Sequence, residues 1–217
     1  MSRNAGVIAL IANLFRIYGV LTVEGAQMIS DIPDNRQSDI DLMLSASGGD
    51  IDAFDALCGR YRRRIEGFFY SLCWNSDAAQ DYAQEVFVRL WLHRGIYKPT
   101  ASFSAYIYRI AKNLWVSAIR SGKCRPNTIP LYDFCIEDDS SNLEKLMMSR
   151  YRDRRIRMAV DALPDHYRFV FIMCHYQDMR YQEIAEALEI PVGTVKSRMS
   201  AATRMLRETI SIEMRDE

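Results

Sequence analysis

The sequence predicts an all-α protein in which two small helical domains are joined by a flexible linker and the C-terminal domain contains a helix-turn-helix. Three observations support this fold class. From Ser38 onward, apolar residues recur at three- and four-residue steps, which is the period of a helix with one buried face. There is no alternation of strand and helix patterns that would indicate a parallel sheet. Residues 121–142 differ in composition from the segments on either side, as an interdomain linker does.

The composition is that of a soluble globular protein. The chain has 217 residues, of which 49% are hydrophobic and 26% are charged. Because 28 Lys and Arg balance 28 Asp and Glu, the net charge argues against attraction of the whole molecule to nucleic acid, while local basic patches could still bind it. The five cysteines show no CxxC spacing, so we expect no disulfide framework, no metal site and a reducing, cytoplasmic location.

Residues 1–37 form an apolar extension whose role the sequence leaves open. The segment 5–23 has the length of a membrane span, but Asn13 and Arg16 lie in its middle, where a charge is costly. Arg3 alone makes a weak start for a signal peptide. Three interpretations remain: an additional helix, a membrane anchor, or an upstream extension that the natural protein lacks, with Met28 as an alternative start.

Residues 38–120 are predicted to form the first helical domain. Three helices are each preceded by residues suited to an N-cap: Asp50 before the first, the segment Asn75-Ser76-Asp77 before the second and Ser102 before the third. The first two helices carry clear apolar stripes. These are Ile51, Phe54, Leu57, Cys58, Tyr61, Ile65 and Phe68 or Phe69 on one helix, and Ala79, Tyr82, Ala83, Val86, Phe87, Leu90 and Trp91 on the next.

Residues 121–142 are predicted to be the linker, and residues 143–217 the second helical domain. The linker contains Gly122, Pro126 and Pro130 and an acidic run over 137–139. In the second domain Pro164 is well placed at the start of a helix, because its ring fixes a φ that suits a first turn.

The segment YQEIAEALEIPVGTVKSRMSAATRMLR predicts a short helix, a tight turn and a basic second helix. On the second helix the spacing of Val195, Met199, Ala202 and Leu206 predicts a buried stripe. The residues left facing outward are Lys196, Ser197, Ser200, Ala201 and Arg204, with Arg198 on the flank. At the helix start, free backbone N–H groups of Gly193 and Thr194 could meet a phosphate. This is the arrangement with which a helix-turn-helix enters the major groove of DNA.

With these motifs in place, the sequence resembles a known family. DAAQDYAQEVFVRLW is similar to the second conserved region of bacterial RNA polymerase sigma factors, and SFSAYIYRIAKNLWVSAIR resembles the promoter-melting region that follows it. YQEIAEALEIPVGTVKSRM resembles the helix-turn-helix of the same family that reads the −35 element. The order and small size are those of the extracytoplasmic-function (ECF) subfamily of the sigma-70 family. The resemblance extends from about residue 39 to residue 207.

The resemblance implies a role for each half. Residues 38–120 correspond to region 2, which binds core RNA polymerase and the −10 element, and residues 143–217 to region 4, which binds the −35 element. The polymerase-binding residues implied are Asp81, Gln84, Glu85 and Phe87. Those implied for −10 DNA are Tyr106, Arg109, Lys112, Asn113 and Arg120. Those implied for −35 DNA are Thr194, Lys196, Ser197, Arg198, Ser200 and Arg204.

Some aromatic residues in the melting region must belong to the core. Tyr108 and Trp115 also match the family's strand-opening positions, but helical spacing cannot expose every aromatic residue there, and the role of Trp115 stays open. An exposed aromatic or amide group could hold a base that has left the stack. The arginines at 60 and 62–64 could contact phosphate or polymerase, or simply face solvent.

The chain departs from the family pattern at several positions. Tyr106 stands where tryptophan is usual, and Ser117 where aspartate is usual. Glu189 occupies a turn position that often holds glycine. Ala201 and Thr203 replace common arginines, so we expect fewer phosphate contacts and a shallower salt dependence of −35 binding. These departures weaken any transfer of promoter sequence from relatives.

The resemblance implies a sigma factor that joins core polymerase, reads a −35 element and opens a −10 element. Its implied partners are core RNA polymerase, promoter DNA and an anti-sigma factor, with no cofactor and no small-molecule substrate. One alternative is a conventional helix-turn-helix regulator, which would leave the helix containing Asp81 without a purpose. A second alternative, an enzyme that uses Cys174 and His175, lacks a phosphate loop, metal-ligand spacing or an oriented triad.

Overall fold

A computed structural model describes residues 38–122 and 155–213, which contain helices and no strand. In chain order the helices are α1 (Asp39–Ser47), α2 (Ile51–Cys73), α3 (Ser76–Leu92), a 3-10 turn (Arg94–Ile96), α4 (Phe103–Arg120), α5 (residues 155–161), α6 (Asp165–His175), α7 (Tyr181–Leu188) and α8 (Val192–Glu213). The all-α prediction is confirmed for this part of the chain. The N-terminal extension and nearly all of the predicted linker lie outside it.

Side-chain caps begin the helices of the N-terminal half where the sequence predicts them. The carboxylate of Asp50 accepts a hydrogen bond from the amide of Ala53 at 3.1 Å, and the side chain of Asn75 accepts one from Ala78 at 2.8 Å. Ser102 caps α4 through the amide of Ala105 at 3.2 Å. Each cap satisfies an amide that the first helical turn leaves unpaired.

The core of the N-terminal half is aromatic. Phe68 and Phe69 of α2 are fully buried, with ring centroids 5.4 Å apart. Phe68 meets Tyr108 of α4 edge-on at 5.5 Å, and Phe69 lies 6.2 Å from Trp115. These contacts fix α4 against α2, with α3 packed on both helices. One stripe prediction is wrong: Ile51 is 62% exposed, because it is the first residue of α2 and lies beyond the core.

The C-terminal half is built around α6. Its residues Phe169 to Met173 are all buried. The carbonyl of Pro164 accepts hydrogen bonds from Tyr167 and Arg168 at 2.9 and 3.0 Å, so the proline does begin this helix. Arg168 is only 5% exposed. Its guanidinium nitrogens lie 3.3 Å from a carboxylate oxygen of Asp161 and 3.2 Å from one of Asp165. A buried guanidinium needs such partners.

The two halves contact each other through side chains of α2, α4 and the C-terminal helices. The hydroxyl of Tyr108 donates to Oε1 of Gln177 at 2.7 Å, and both residues are buried. Arg64 donates to the backbone carbonyl of Gln177 at 3.2 Å. Helix α4 also packs against α7. Within the described ranges, no helix combines the length and the apolar character needed to cross a membrane.

Candidate protein and nucleic-acid interfaces

Helix α3 presents a polar edge to solvent. Asp81 and Gln84 are exposed, and Glu85 is half-buried and forms an ion pair with Arg89 at 2.8 Å, one turn further on. Phe87 is half-buried beside them. Since residues three and four apart share a helix face, Asp81, Gln84 and Glu85 lie together. The structure thus leaves the residues implied for polymerase binding accessible on one helix.

An exposed apolar stripe continues this polar edge. Val88, Leu92 and Ile96 are 51%, 68% and 73% exposed, in α3 and the 3-10 turn after it. Sequence reasoning missed these residues, because they fall outside the buried stripe. The available signal was their four-residue spacing, which carries on from Gln84. Clustered apolar side chains on a surface indicate a site of protein contact.

The residues predicted for −10 DNA lie along one side of α4. Asn113 and Arg120 are exposed, while Tyr106, Arg109 and Lys112 are half-buried. At about 100° per residue these five positions fall on a single side of the helix. Tyr106 is held by the ring of Tyr97, with centroids 5.0 Å apart, and burial raises its pKa. The helix therefore offers a continuous face of amide and cationic groups.

Tyr108 and Trp115 belong to the core. Tyr108 is fully buried and Trp115 is 2% exposed, packed against Phe69 and Tyr82. Burial raises the pKa of Tyr108, so its hydroxyl keeps its proton and donates to Gln177. In this conformation neither ring can stack on a base. Trp115, whose role the sequence left open, is therefore a core residue in this structure.

The arginine cluster of α2 divides between internal contacts and solvent. Arg60 pairs with Asp39, whose carboxylate also accepts a hydrogen bond from Tyr61 at 2.6 Å. Burial and the neighbouring carboxylate raise the pKa of Tyr61. The guanidinium of Arg64 lies 5.5 Å from the Tyr61 ring centre. Arg62 and Arg63 face solvent. Two of the four arginines thus help to pack the domain.

The predicted recognition helix α8 has the expected two faces. Val195, Met199, Ala202 and Leu206 are buried, which confirms the predicted stripe. Lys196, Ser197, Ser200 and Arg204 are exposed, while Thr194, Arg198 and Ala201 are half-buried. Arg204 approaches Glu208 at 4.0 Å with both side chains largely exposed, so this pair holds the guanidinium weakly. The outward face is basic and carries short hydroxyl side chains, as a major-groove helix requires.

The expectation of free amides at the start of α8 is wrong for Thr194. The amide of Thr194 is not free to meet a phosphate, because it donates to the carbonyl of Pro191 at 2.9 Å. The hydroxyl of Ser197 in turn donates to the carbonyl of Thr194 at 3.0 Å. The helix closes its own first turn at Thr194, so the amide of this residue is already paired.

The turn between α7 and α8 is tight and contains a strained residue. Glu189 has a φ of 57° and a ψ of 45°, in the left-handed region. Its amide donates to the carbonyl of Ala185, and the amide of Ile190 does so at 3.0 Å. These bonds end α7 in the way that is usual when the residue after a helix is glycine. The side chain of Glu189 makes the left-handed conformation sterically less favourable than it would be for glycine. Ala185 is buried, and its small side chain lies on the inner face of α7.

The surroundings of Cys174 and His175 do not favour an activated nucleophile. Desolvation by neighbouring groups raises the pKa of the Cys174 thiol and lowers the pKa of His175. Both shifts keep the groups neutral, whereas a nucleophilic cysteine needs a lowered pKa. Among the residues that the structure describes, no cluster of His, Cys, Asp and Glu could hold a metal ion.

A polar helix edge, a cationic helix and a helix-turn-helix with a basic second helix together are typical of a two-part DNA-binding protein. Comparison with protein families gives the assignment. Residues 57–124 match the model for Sigma-70 region 2, and residues 153–206 match the model for Sigma-70, region 4. The ECF RNA polymerase sigma factor SigW of Bacillus subtilis is 30% identical over 171 residues, which cover 75% of this chain and 91% of SigW.

Solved structures share the fold. CnrH, solved in complex with the cytosolic domain of CnrY, matches with a TM-score of 0.61 and 20% identity over 81% of this chain and 99% of CnrH. The sigma factor RpoE from Bartonella quintana, solved with the anti-sigma factor NepR, matches with a TM-score of 0.56 and 18% identity over 73% of this chain and 97% of RpoE. The chain belongs to the ECF sigma factors of the sigma-70 family, which are transcription initiation factors and not enzymes.

Proposed function

We propose that this chain joins core RNA polymerase through α3, holds the opened −10 element on α4 and reads the −35 element with α8. The observation that supports this most strongly is the separation of the three surfaces. The polar edge of α3, the cationic side of α4 and the basic side of α8 lie on different helices, so each could serve a different partner.

The docking surface is proposed to include the apolar stripe as well as the polar edge. Asp81, Gln84 and Glu85 would supply directional polar contacts, and Phe87 a half-buried ring beside them. Val88 and Leu92 would supply the apolar area that protein interfaces bury at their centre. A regulator that acts without polymerase would have no use for these exposed groups.

The two DNA surfaces are proposed to divide the promoter between them. Asn113 and Arg120, which are exposed on α4, suit unpaired bases and the nearby backbone. Lys196, Ser200 and Arg204, which are exposed on α8, suit base edges and phosphates of the duplex. Because the halves act together, specific binding depends on polymerase fixing their separation.

We also infer regulation by an anti-sigma factor and a cytoplasmic site of action. Both proteins with the same fold described above were solved with a partner, CnrY in one case and the anti-sigma factor NepR in the other. A partner of that kind would have to cover at least one of the three surfaces. A cytoplasmic location follows from the need to meet polymerase and the chromosome.

The proposal is tested by mixing the purified chain with core RNA polymerase and separating the mixture by size. The proposal predicts that the two elute together, and that the complex, but not free core polymerase, retains a promoter fragment at physiological salt. If the chain shifts duplex DNA but never elutes with core polymerase, it is a conventional regulator.

A further inference from the structure

One predicted −10 residue is held by the helix-turn-helix of the same chain. In α4, Nη2 of Arg109 donates to the backbone carbonyl of Glu186 at 2.9 Å, and Nη1 lies 3.3 Å from Oε1 of Glu189. Glu186 also reaches α4, where its carboxylate accepts a hydrogen bond from the amide of Ser102 at 3.3 Å. The contact thus joins the start of α4 to the end of α7.

This contact competes with DNA binding by Arg109. Nη1 and Nη2 both point to α7 and the turn that follows it, and the carboxylate of Glu189 offsets the guanidinium charge, so fewer donors and less charge are left for a nucleic-acid strand. Two carboxylates, those of Glu186 and Glu189, also stand beside the start of the helix, where they would repel phosphates. The −10 side of α4 is therefore partly covered by region 4.

The −35 side is not covered in the same way. Lys196, Ser197, Ser200 and Arg204 remain exposed on α8 while the contact is made. The arrangement is asymmetric: it leaves the face predicted for duplex DNA open and covers part of the face predicted for single-stranded DNA.

Glu189 is an unusual residue for this contact. Its backbone is left-handed, a conformation in which glycine or asparagine is better tolerated. A carboxylate there has no role in ending α7, since the backbone amides do that. Its ion pair with Arg109 provides a physical reason for an acidic residue at this position.

We propose that, in the free chain, the carboxylate of Glu189 and the backbone carbonyl of Glu186 mask Arg109. We call these two interactions the release contact, because they must break before α4 can hold a single strand. Helix α8 can therefore meet duplex DNA first. The contact is easily broken, because the side chains of Arg109 and Glu189 are 32% and 61% exposed and Nε of Arg109 is buried without a partner. The DNA role of Arg109 rests on the proposed function.

The test compares variants of the full chain that differ in one carboxylate. Glu189→Asn and Glu189→Gly remove the charge and suit a left-handed backbone, so both should fold. Asp178→Asn is the matched control. Asp178 is also acidic and exposed, its backbone is also in the left-handed region with a φ of 51°, and it takes no part in the contact. Two quantities are measured: hydrogen exchange of the amides in 102–112, and binding of a random-sequence 12-nucleotide single strand and a random-sequence duplex.

We expect both Glu189 variants to exchange faster than wild type in 102–112 and to bind the single strand about threefold more tightly than Asp178→Asn does, the scale of one exposed ion pair. Duplex binding should change equally in all three variants. Unchanged exchange would overturn the release contact. Faster exchange without tighter single-strand binding would show that the release contact exists but does not mask a DNA site. Binding to core polymerase is measured separately, so a failure of the proposed function can be told apart from a failure of this proposal.

Discussion

The indole N–H of Trp74 donates a hydrogen bond to Oδ2 of Asp161 at 2.9 Å, which ties the end of α2 to α5 in the other half of the protein. Arg157 places its guanidinium 4.9 Å from the centre of the Trp74 ring, and Arg168 pairs with the same carboxylate at 3.3 Å. The backbone of Trp74 is in the left-handed region, with a φ of 51°. The strained backbone turns the indole toward a charged cluster.

Trp74→Phe should destabilise the protein more at pH 7 than at pH 4. Burial raises the pKa of Asp161, while the bonds from Trp74 and Arg168 lower it. A raised pKa means that stability falls as pH rises through the folded-state value, and removing the indole bond raises that value further. We expect a loss of about 1–2 kcal/mol at pH 7. Urea unfolding at the two pH values measures it.

Trp91→Phe is the control for this experiment, because Trp91 packs through its ring against Phe54 and Arg94. Its effect should be the same at both pH values. An equal loss for Trp74→Phe at pH 4 and pH 7 would show that the carboxylate bond does not carry the effect.

Val88→Glu should weaken binding to core RNA polymerase at least about tenfold, because it places an unpaired charge in an interface that must lose its water. Stability should hardly change, since Val88 is 51% exposed. A fluorescence competition assay measures the affinity. Met158→Glu, at a residue that is 46% exposed in the other half, should leave it unchanged. Equal affinity of both variants would place the docking surface elsewhere.

Lys196→Ala should weaken −35 binding across all duplex sequences and lower the salt slope by about one. Lys196 is exposed on the outer face of α8 and can neutralise a phosphate. Anisotropy titrations with a labelled duplex at several salt concentrations give the slope. Lys98→Ala, an exposed lysine outside α8, is the control. A slope that both variants leave unchanged would contradict the placement of α8 in the groove.

Ala201→Arg should have the opposite effect. Ala201 is half-buried at the edge of the outer face. A long arginine side chain could extend from there toward the backbone, so the same titrations should give tighter binding and a steeper slope by about one. A slope like that of wild type would mean that position 201 does not reach a phosphate.

Local chemistry made much of the fold predictable. Asp50 and Ser102 are caps in the sequence and in the structure, and within the predicted segment 75–77 the cap is Asn75, since a cap depends on its own next three residues. The buried stripe of α8 followed from helical spacing in the same way.

Contacts that depend on how the halves meet could not be predicted. Gln177 is polar and gave no signal, yet it is buried between Tyr108 and Arg64. The sequence showed Glu189 only as a departure at a turn position that often holds glycine. Its ion pair could not be predicted, because its partner Arg109 lies far away in the chain. The placement of Trp115 in the core required the packing of α2, α3 and α4 to be known.

Whether the chain directs initiation by polymerase can be measured by transcription from a library of candidate promoters with purified core polymerase. We expect promoter-specific transcripts only when the chain is added, and fewer of them with Val88→Glu but not with Met158→Glu. Transcripts that are the same with and without the chain, or a chain that binds duplex DNA but never core polymerase, would contradict this expectation.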